Sequence, residues 1–225
     1  MCFYFMKSID DLIFKDYRIQ ILNLENQGIE SLKGIEKFKN IERLFLDNNR
    51  ITNIEFLSNL KELQVLDLGN NQISKIEGLE DLNQLKSLKL NKNRITKIQG
   101  LQNFKLLEEL NLGGNQISEI EGLDSLENLR ELDLRNNQIS KIENLEQLQK
   151  LEYLDFENNR LTELENLEKL KSLCFLYIID NQIPNIEILK KSPNLETVHL
   201  AGNPINKNNL NEENYYFYIC WYRYD

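Results

Sequence analysis

The sequence predicts an α/β repeat solenoid, with a curved parallel sheet on its concave face and 3-10 or short helical returns on its convex face. Composition is the first reason. Among 225 residues 40 are Leu and 31 are Asn, while Ala occurs once and Pro three times. An ordinary core mixes Ala, Val and Gly with its Leu and uses little Asn, so this bias signals one short pattern copied many times. Phase is the second reason. Asn49, Asn71, Asn93, Asn115, Asn137, Asn159, Asn181 and Asn203 follow one another at intervals of 22 residues, with Gln27 in the same slot of a first row. The third reason is the frame before each Asn: Leu63, Leu66 and Leu68 precede Asn71, and Leu129, Leu132 and Leu134 precede Asn137.

Nine such rows fit residues 19–206 without an insertion. The unit Leu-x-x-Leu-x-Leu-x-x-Asn is the leucine-rich-repeat signature. Within Leu66-Asp67-Leu68 the two leucines share one face of a short strand and Asp67 points the other way. Successive strands therefore stack in parallel. The Asn closes the strand, where its amide accepts from and donates to backbone groups that would otherwise be buried unpaired. Removing one such amide is expected to cost about 1 to 3 kcal/mol. In the second half of the row, Ile51, Ile54, Leu57, Leu60 and Leu63 recur every third residue. That period suits a 3-10 or short helical return better than a long α-helix.

Terminal rows expose the apolar face that neighbours bury elsewhere, so a solenoid needs covers. Residues 1–18 are the expected N-terminal cap, in which Ile9, Leu12, Ile13 and Phe14 lie at helical spacing between Ser8 and Tyr17. Residues 207–225 are a C-terminal tail or degenerate cap, polar as far as Asn214 and then reading YYFYICWYRYD.

Charge and cysteine usage narrow the class. With 36 acidic against 27 basic residues the net charge is −9, which disfavours phosphate backbones and anionic lipid and favours a basic or mixed protein surface. Cys2, Cys174 and Cys220 form neither a disulfide framework nor a metal-ligand spacing, which places the chain in a reducing compartment. The opening MCFYFM is broken by Lys7, Asp10 and Asp11, unlike a secretion signal, and no apolar run reaches the roughly 20 residues of a membrane span. The expectation is a cytoplasmic or nuclear protein, monomeric when free, that binds protein rather than nucleic acid or membrane. A secreted adhesin is disfavoured on the same grounds.

Function in such a solenoid resides on the outward strand positions. The central column, between the two leucines, reads Asn23, Phe45, Asp67, Lys89, Asn111, Asp133, Asp155, Tyr177, His199. With the columns on either side, it carries eight acids against three bases, −5 of the chain's −9. Tyr153, Phe175, Tyr177 and Ile179 form an apolar patch flanked by Glu131, Asp133, Asp155 and Glu157. Aromatics inside a charged rim have the composition of a binding hot spot, and an exposed contiguous patch is unusual for a monomer. This favours binding over simple cross-strand packing. The expected partner-binding residues are Phe45, Asp67, Asp133, Tyr153, Asp155, Phe175, Tyr177 and His199.

No catalytic constellation emerges. His199 is the only histidine, so a two-histidine metal site is impossible and a Cys-His pair would have to use Cys174 or Cys220. Gly113-Gly114 replaces the usual Asn-Asn without a phosphate-loop pattern, and Glu108-Glu109 lacks an enclosing pocket. A non-enzymatic chain without cofactor is expected.

The rows also resemble a particular subclass. The unit LQVLDLGNNQISKIEGLEDLNQ from Leu63, and the last row LETVHLAGNPI from Leu195 to Ile205, are similar to the repeats of the protein phosphatase 1 regulatory subunit 7 family. In that family the concave face grips the phosphatase catalytic subunit through acidic and aromatic residues. The resemblance implies contact positions at Asn23, Phe45, Asp67, Lys89, Asp155, Phe175, Tyr177 and His199. Phe45, Asp67, Asp155 and Tyr177 keep the family's character, whereas Lys89 and His199 replace aromatics and Phe175 and Asn23 replace acids. The implied function is a regulatory subunit of a type 1 serine/threonine phosphatase. The alternative is a ciliary or cytoskeletal adaptor, since ciliary dynein-associated proteins, a spliceosomal subunit and bacterial internalins share the subclass.

Overall fold

Alternation of side-chain direction fixes each strand. Leu66 and Leu88 are fully buried, while Val65, Asp67, Ser87 and Lys89 on either side of them are only half-buried. A computed structural model of the chain describes residues 7–12, 16–192 and 194–205 and the backbone of 218–220. Its strands are β1 (Ile21–Asn23), β2 (Arg43–Phe45), β3 (Val65–Asp67), β4 (Ser87–Lys89), β5 (Glu109–Asn111), β6 (Glu131–Asp133), β7 (Tyr153–Asp155), β8 (Phe175–Tyr177), β9 (Thr197–His199) and β10 (Tyr218–Cys220). They form one parallel sheet in sequence order. Register is strict: Asp67 pairs with Lys89 and Asp133 with Asp155, so each slot of the repeat lies beside the same slot of the next row.

The core is a continuous apolar wall. Leu44, Leu46, Ile51, Leu57, Leu60 and Leu63 are all 0% exposed, and the same slots are buried in the rows that follow. Phe38, Phe104 and Phe156 take leucine slots and are fully buried too. Truncating one of these leucines to Ala is expected to cost about 2 to 5 kcal/mol.

The returns are as short as the three-residue period predicts. Four are 3-10 turns, at Ile35–Lys37, Glu55–Asn59, Leu167–Lys169 and Glu187–Lys191. Elsewhere single bonds such as the Leu82 N–H to the Leu79 carbonyl, 3.0 Å, do the same work. The described residues contain no α-helix. A bond from residue i+3 to residue i returns every third side chain to one side, which is where the core lies.

The in-phase amides stitch neighbouring rows. Asn115 Nδ2 donates to the Leu112 carbonyl of its own row and the Leu90 carbonyl of the row before, at 2.9 and 3.0 Å, while its Oδ1 accepts the Ile95 N–H at 3.0 Å. Asn49, Asn71, Asn93, Asn137, Asn159, Asn181 and Asn203 repeat this pattern. Gln27 does not. Its longer amide is exposed and donates to the Glu25 carbonyl at 2.9 Å, as first-row position leaves no earlier row to tie.

At the N-terminal end, Ile9 is 2% exposed and Leu12 packs against the core. Within the described residues the helical spacing gives one 3-10 turn, Ile9–Asp11, and Leu12 has extended backbone. Backbone bonds from Asp10 N–H to the Lys33 carbonyl, 3.0 Å, and from Ser31 N–H to the Lys7 carbonyl, 2.8 Å, dock this turn on the first return. Ile13 and Phe14 lie outside the described residues. At the other end the backbone of β10 pairs with β9, and the remainder of 207–225 lies outside the described residues.

Candidate functional site

The three outward columns line the concave face, but that face is less open than a single row suggests. Asp133, Asp155, Ile179, His199 and Ala201 are buried, Asp155 to 2%, whereas Phe175 remains 39% and Ile21 59% exposed. Neighbouring rows crowd the central column, so depth increases towards the C-terminal half.

Much of the central column has a backbone task. Asp67 Oδ1 accepts the Gly69 N–H at 2.9 Å, Asp133 Oδ1 the Arg135 N–H at 3.1 Å and Asp155 Oδ1 the Glu157 N–H at 2.8 Å. Asn23 and Asn111 make the same bond, to the N–H of Glu25 and Gly113, each at 3.0 Å. This is an Asx turn, in which a short side-chain oxygen closes on the backbone two residues ahead as the chain leaves the strand. Phe45 and Lys89 have no oxygen to offer there. They stand in the column free of this duty, as do Tyr177 and His199.

The aromatic residues form a tier across three strands. Tyr153 and Tyr177 have ring centroids 5.1 Å apart, and Tyr177 lies stacked on His199 at 4.5 Å with 13° between the planes. Cross-strand packing therefore accounts for part of the patch. Ile179, at 9% exposure, is buried and adds little open surface to it. Phe175 is the member that remains open to a partner.

Around this tier the charges are organised. Asp133 Oδ2 pairs with Arg135 at 2.9 Å. Gly113 makes room for the pair, since a Cβ there would stand 2.9 Å from Asp133 Oδ1 and 3.1 Å from Arg135 Cγ. Asp155 Oδ2 accepts the Tyr153 hydroxyl at 3.2 Å. Burial pushes the Asp155 carboxyl up to about 6; the Glu157 N–H and Arg135 oppose this, while Asp133 and Glu157 add to it. Burial also raises Asp67 and Asp133 above the usual carboxylate range. Tyr153 is pushed well up by burial and then by Asp155, and His199 is pushed down by burial. Further along, the hydrogen bond to Glu109 holds the Lys89 ammonium, at 3.0 Å, and raises it.

Of the expected residues, the structure brings Asp133, Tyr153, Asp155, Phe175, Tyr177 and His199 together over β6 to β9, and sets Phe45 and Asp67 apart on β2 and β3. Sequence reasoning missed the Asx turns and the Asp133–Arg135 pair. The signal for the first was the recurrence of Asp or Asn at five of nine central positions. Among the described residues no group of three or more His, Cys, Asp or Glu can hold a metal ion, and no helix is long and apolar enough to cross a membrane.

A parallel solenoid whose rows are tied by buried amides, and whose concave columns carry the variable side chains, defines a repeat scaffold for protein binding. The chain belongs to the leucine-rich repeat family: the pattern described as "Leucine Rich repeats (2 copies)" matches residues 39–83, 61–103, 83–125 and 127–169. Members of this family are in general non-enzymatic interaction scaffolds. Among solved structures the chain is similar to an internalin C2 of Listeria monocytogenes, with 32% identity, 81% of this chain and 80% of that chain covered, and a TM-score of 0.77. It is also similar to a leucine-rich-repeat protein of Leptospira interrogans, with 27% identity, 88% of this chain and 54% of that chain covered, and a TM-score of 0.80. The chain thus spans about half the length of the Leptospira protein. No curated protein matches it.

Proposed function

We propose that the chain is a non-enzymatic scaffold that binds a folded protein across the C-terminal half of its concave face, and that this partner is the catalytic subunit of a type 1 serine/threonine phosphatase. The observation that carries the binding reading is the exposed Phe175 ring beside Tyr153 and Tyr177, with Glu131 exposed and Glu157 half-buried as its acidic rim and Asp133 and Asp155 buried behind them. An apolar anchor in an acidic rim suits a basic partner surface, and such complementarity sets encounter rate and specificity. The family match supports the scaffold. The phosphatase assignment is supported by the resemblance of the 22-residue unit and of the row Leu195 to Ile205.

Lys89, Phe175 and His199 depart from the phosphatase-binding pattern, and that observation favours the second reading, an adaptor for ciliary or cytoskeletal proteins. One experiment separates the two. Purified type 1 phosphatase catalytic subunit and purified tubulin are each titrated onto immobilised protein, wild type beside a Glu131→Lys, Phe175→Ala double variant. Binding of the phosphatase alone, lost in the double variant, supports the first reading; binding of tubulin alone supports the second. Glu131 and Phe175 are preferable to Asp67 and Asp155 as probes, because reversing a carboxylate that closes an Asx turn also damages the fold.

A further inference from the structure

The concave face has a chemical feature that protein binding by itself does not require. Asp155 and Asp133 pair in register on β7 and β6, and both carboxylates are nearly cut off from water, at 2% and 8% residue exposure. One guanidinium, Arg135, faces both, and it is engaged with Asp133 at 2.9 Å. The second carboxylate is left with neutral donors, the Tyr153 hydroxyl at 3.2 Å and the Glu157 N–H at 2.8 Å. Two like charges in register, with one guanidinium to serve both among the described residues, cannot both ionise freely in a poorly solvated site.

We propose that the Asp133–Asp155 pair, with Arg135 and Tyr153, is a proton-operated switch in the concave face that lowers its negative charge, and with it the hold on a basic partner, as the pH falls. The proposal rests on the protein-binding reading above and adds its regulation. Among the described residues the groups beside Asp155 are Asp133 and Arg135 on the row of β6, Tyr177 on β8, and Tyr153 and Glu157 on its own row, with Glu131 beside Tyr153 and His199 beyond Tyr177. Of the carboxylates, Asp155 is the deepest. When it gains a proton, Arg135 serves Asp133 alone and the face loses one negative charge. His199, whose burial favours the neutral ring, moves the face in the same direction when it gains a proton. A basic surface lying over Asp155 favours the ionised carboxylate, so binding and proton release are coupled reciprocally.

Asparagine closes the same turn natively at Asn23 and Asn111, so Asp→Asn changes in this column remove charge without removing the backbone bond. The test is a carboxyl-carbon NMR titration of the full chain from pH 3.5 to 8, for wild type, Asp155→Asn and Asp133→Asn. The wild type is expected to contain one aspartate titrating near 6, absent in Asp155→Asn. In Asp133→Asn its midpoint is expected to fall by about half a pH unit or more, because a like charge is gone and Arg135 is released. Wild-type aspartates all titrating below about 4.5, or an Asp155 midpoint indifferent to Asp133→Asn, would overturn the switch. Neither outcome depends on a partner, so failure here is separate from failure of the phosphatase reading.

Discussion

Asp155 stands beside Asp133 on the neighbouring strand, and the deeper of the two, at 2% exposure against 8%, is the one without an ion-pairing guanidinium of its own. Stability is therefore linked to pH through this residue. Its folded-state carboxyl titrates near 6, above the 3.8 of an unperturbed aspartate, so the folded chain holds the proton more tightly than the unfolded chain. Stability consequently falls as pH rises from about 4 to about 6 and changes no further above that window. Asp155→Asn removes the loss. Urea unfolding is expected to find the variant close to wild type at pH 4 and more stable at pH 7.5 by on the order of 2 to 3 kcal/mol, from 1.36 kcal/mol per pH unit of displacement. An equal difference at both pH values would exclude the linkage.

The buried amides give a second expectation. Asn115→Ala leaves the Ile95 N–H without its acceptor and takes one of two amide donors from the Leu90 and Leu112 carbonyls, which keep Asn93 and Asn137, and is expected to cost about 1 to 3 kcal/mol in urea unfolding. Asn103, whose exposed amide also reaches an earlier row through the Glu80 carbonyl at 2.9 Å, should lose less than about 0.5 kcal/mol on truncation, because water replaces the bond. Similar costs at the two positions would mean that burial is not what gives the ladder its value.

The contrast between these two asparagines indicates what could be read from the sequence. The leucine wall and the Asn ladder are legible because every row repeats them in phase, so an error in one row is corrected by the others. The concave face is not periodic in chemistry, and its depth depends on how neighbouring rows crowd it. Asp67 and Asp155 look like solvated charges when each row is considered alone. Only the three-dimensional turn reveals that each oxygen is committed to the backbone at Gly69 or Glu157. The stacked Tyr177 and His199 likewise need two rows in register before their contact exists. At the N-terminal end, Ile9 is legible as a buried cap residue, whereas the local turn is not: Ser8 and Asp11 close it, with the Ser8 N–H donating to Asp11 Oδ2 at 2.8 Å, and Leu12 has extended backbone.

Gly113 supplies a third test. Its Cα lies under the Asp133–Arg135 pair, and a methyl group there meets the carboxylate oxygen at 2.9 Å. Gly113→Ala is expected to lose about 1 to 2 kcal/mol through this overpacking. In an Arg135→Ala background, where the guanidinium stem no longer covers the site, the loss should shrink, and a double-mutant cycle measures the coupling. Additive losses would place the strain elsewhere.

Binding of a basic protein surface by the acidic, aromatic half of the concave face carries the proposed function. Its most direct test is the dissociation constant for purified type 1 phosphatase catalytic subunit at about 50 and 300 mM salt, where screening of exposed charges differs most usefully. Wild type is expected to bind saturably and at least about tenfold more weakly at the higher salt. The Glu131→Lys, Phe175→Ala variant is expected to bind at neither, while a control at an exposed residue outside the strands, Leu106→Ala, retains wild-type affinity. Affinity indifferent to salt and unchanged in the concave-face variant would rule out binding through this face.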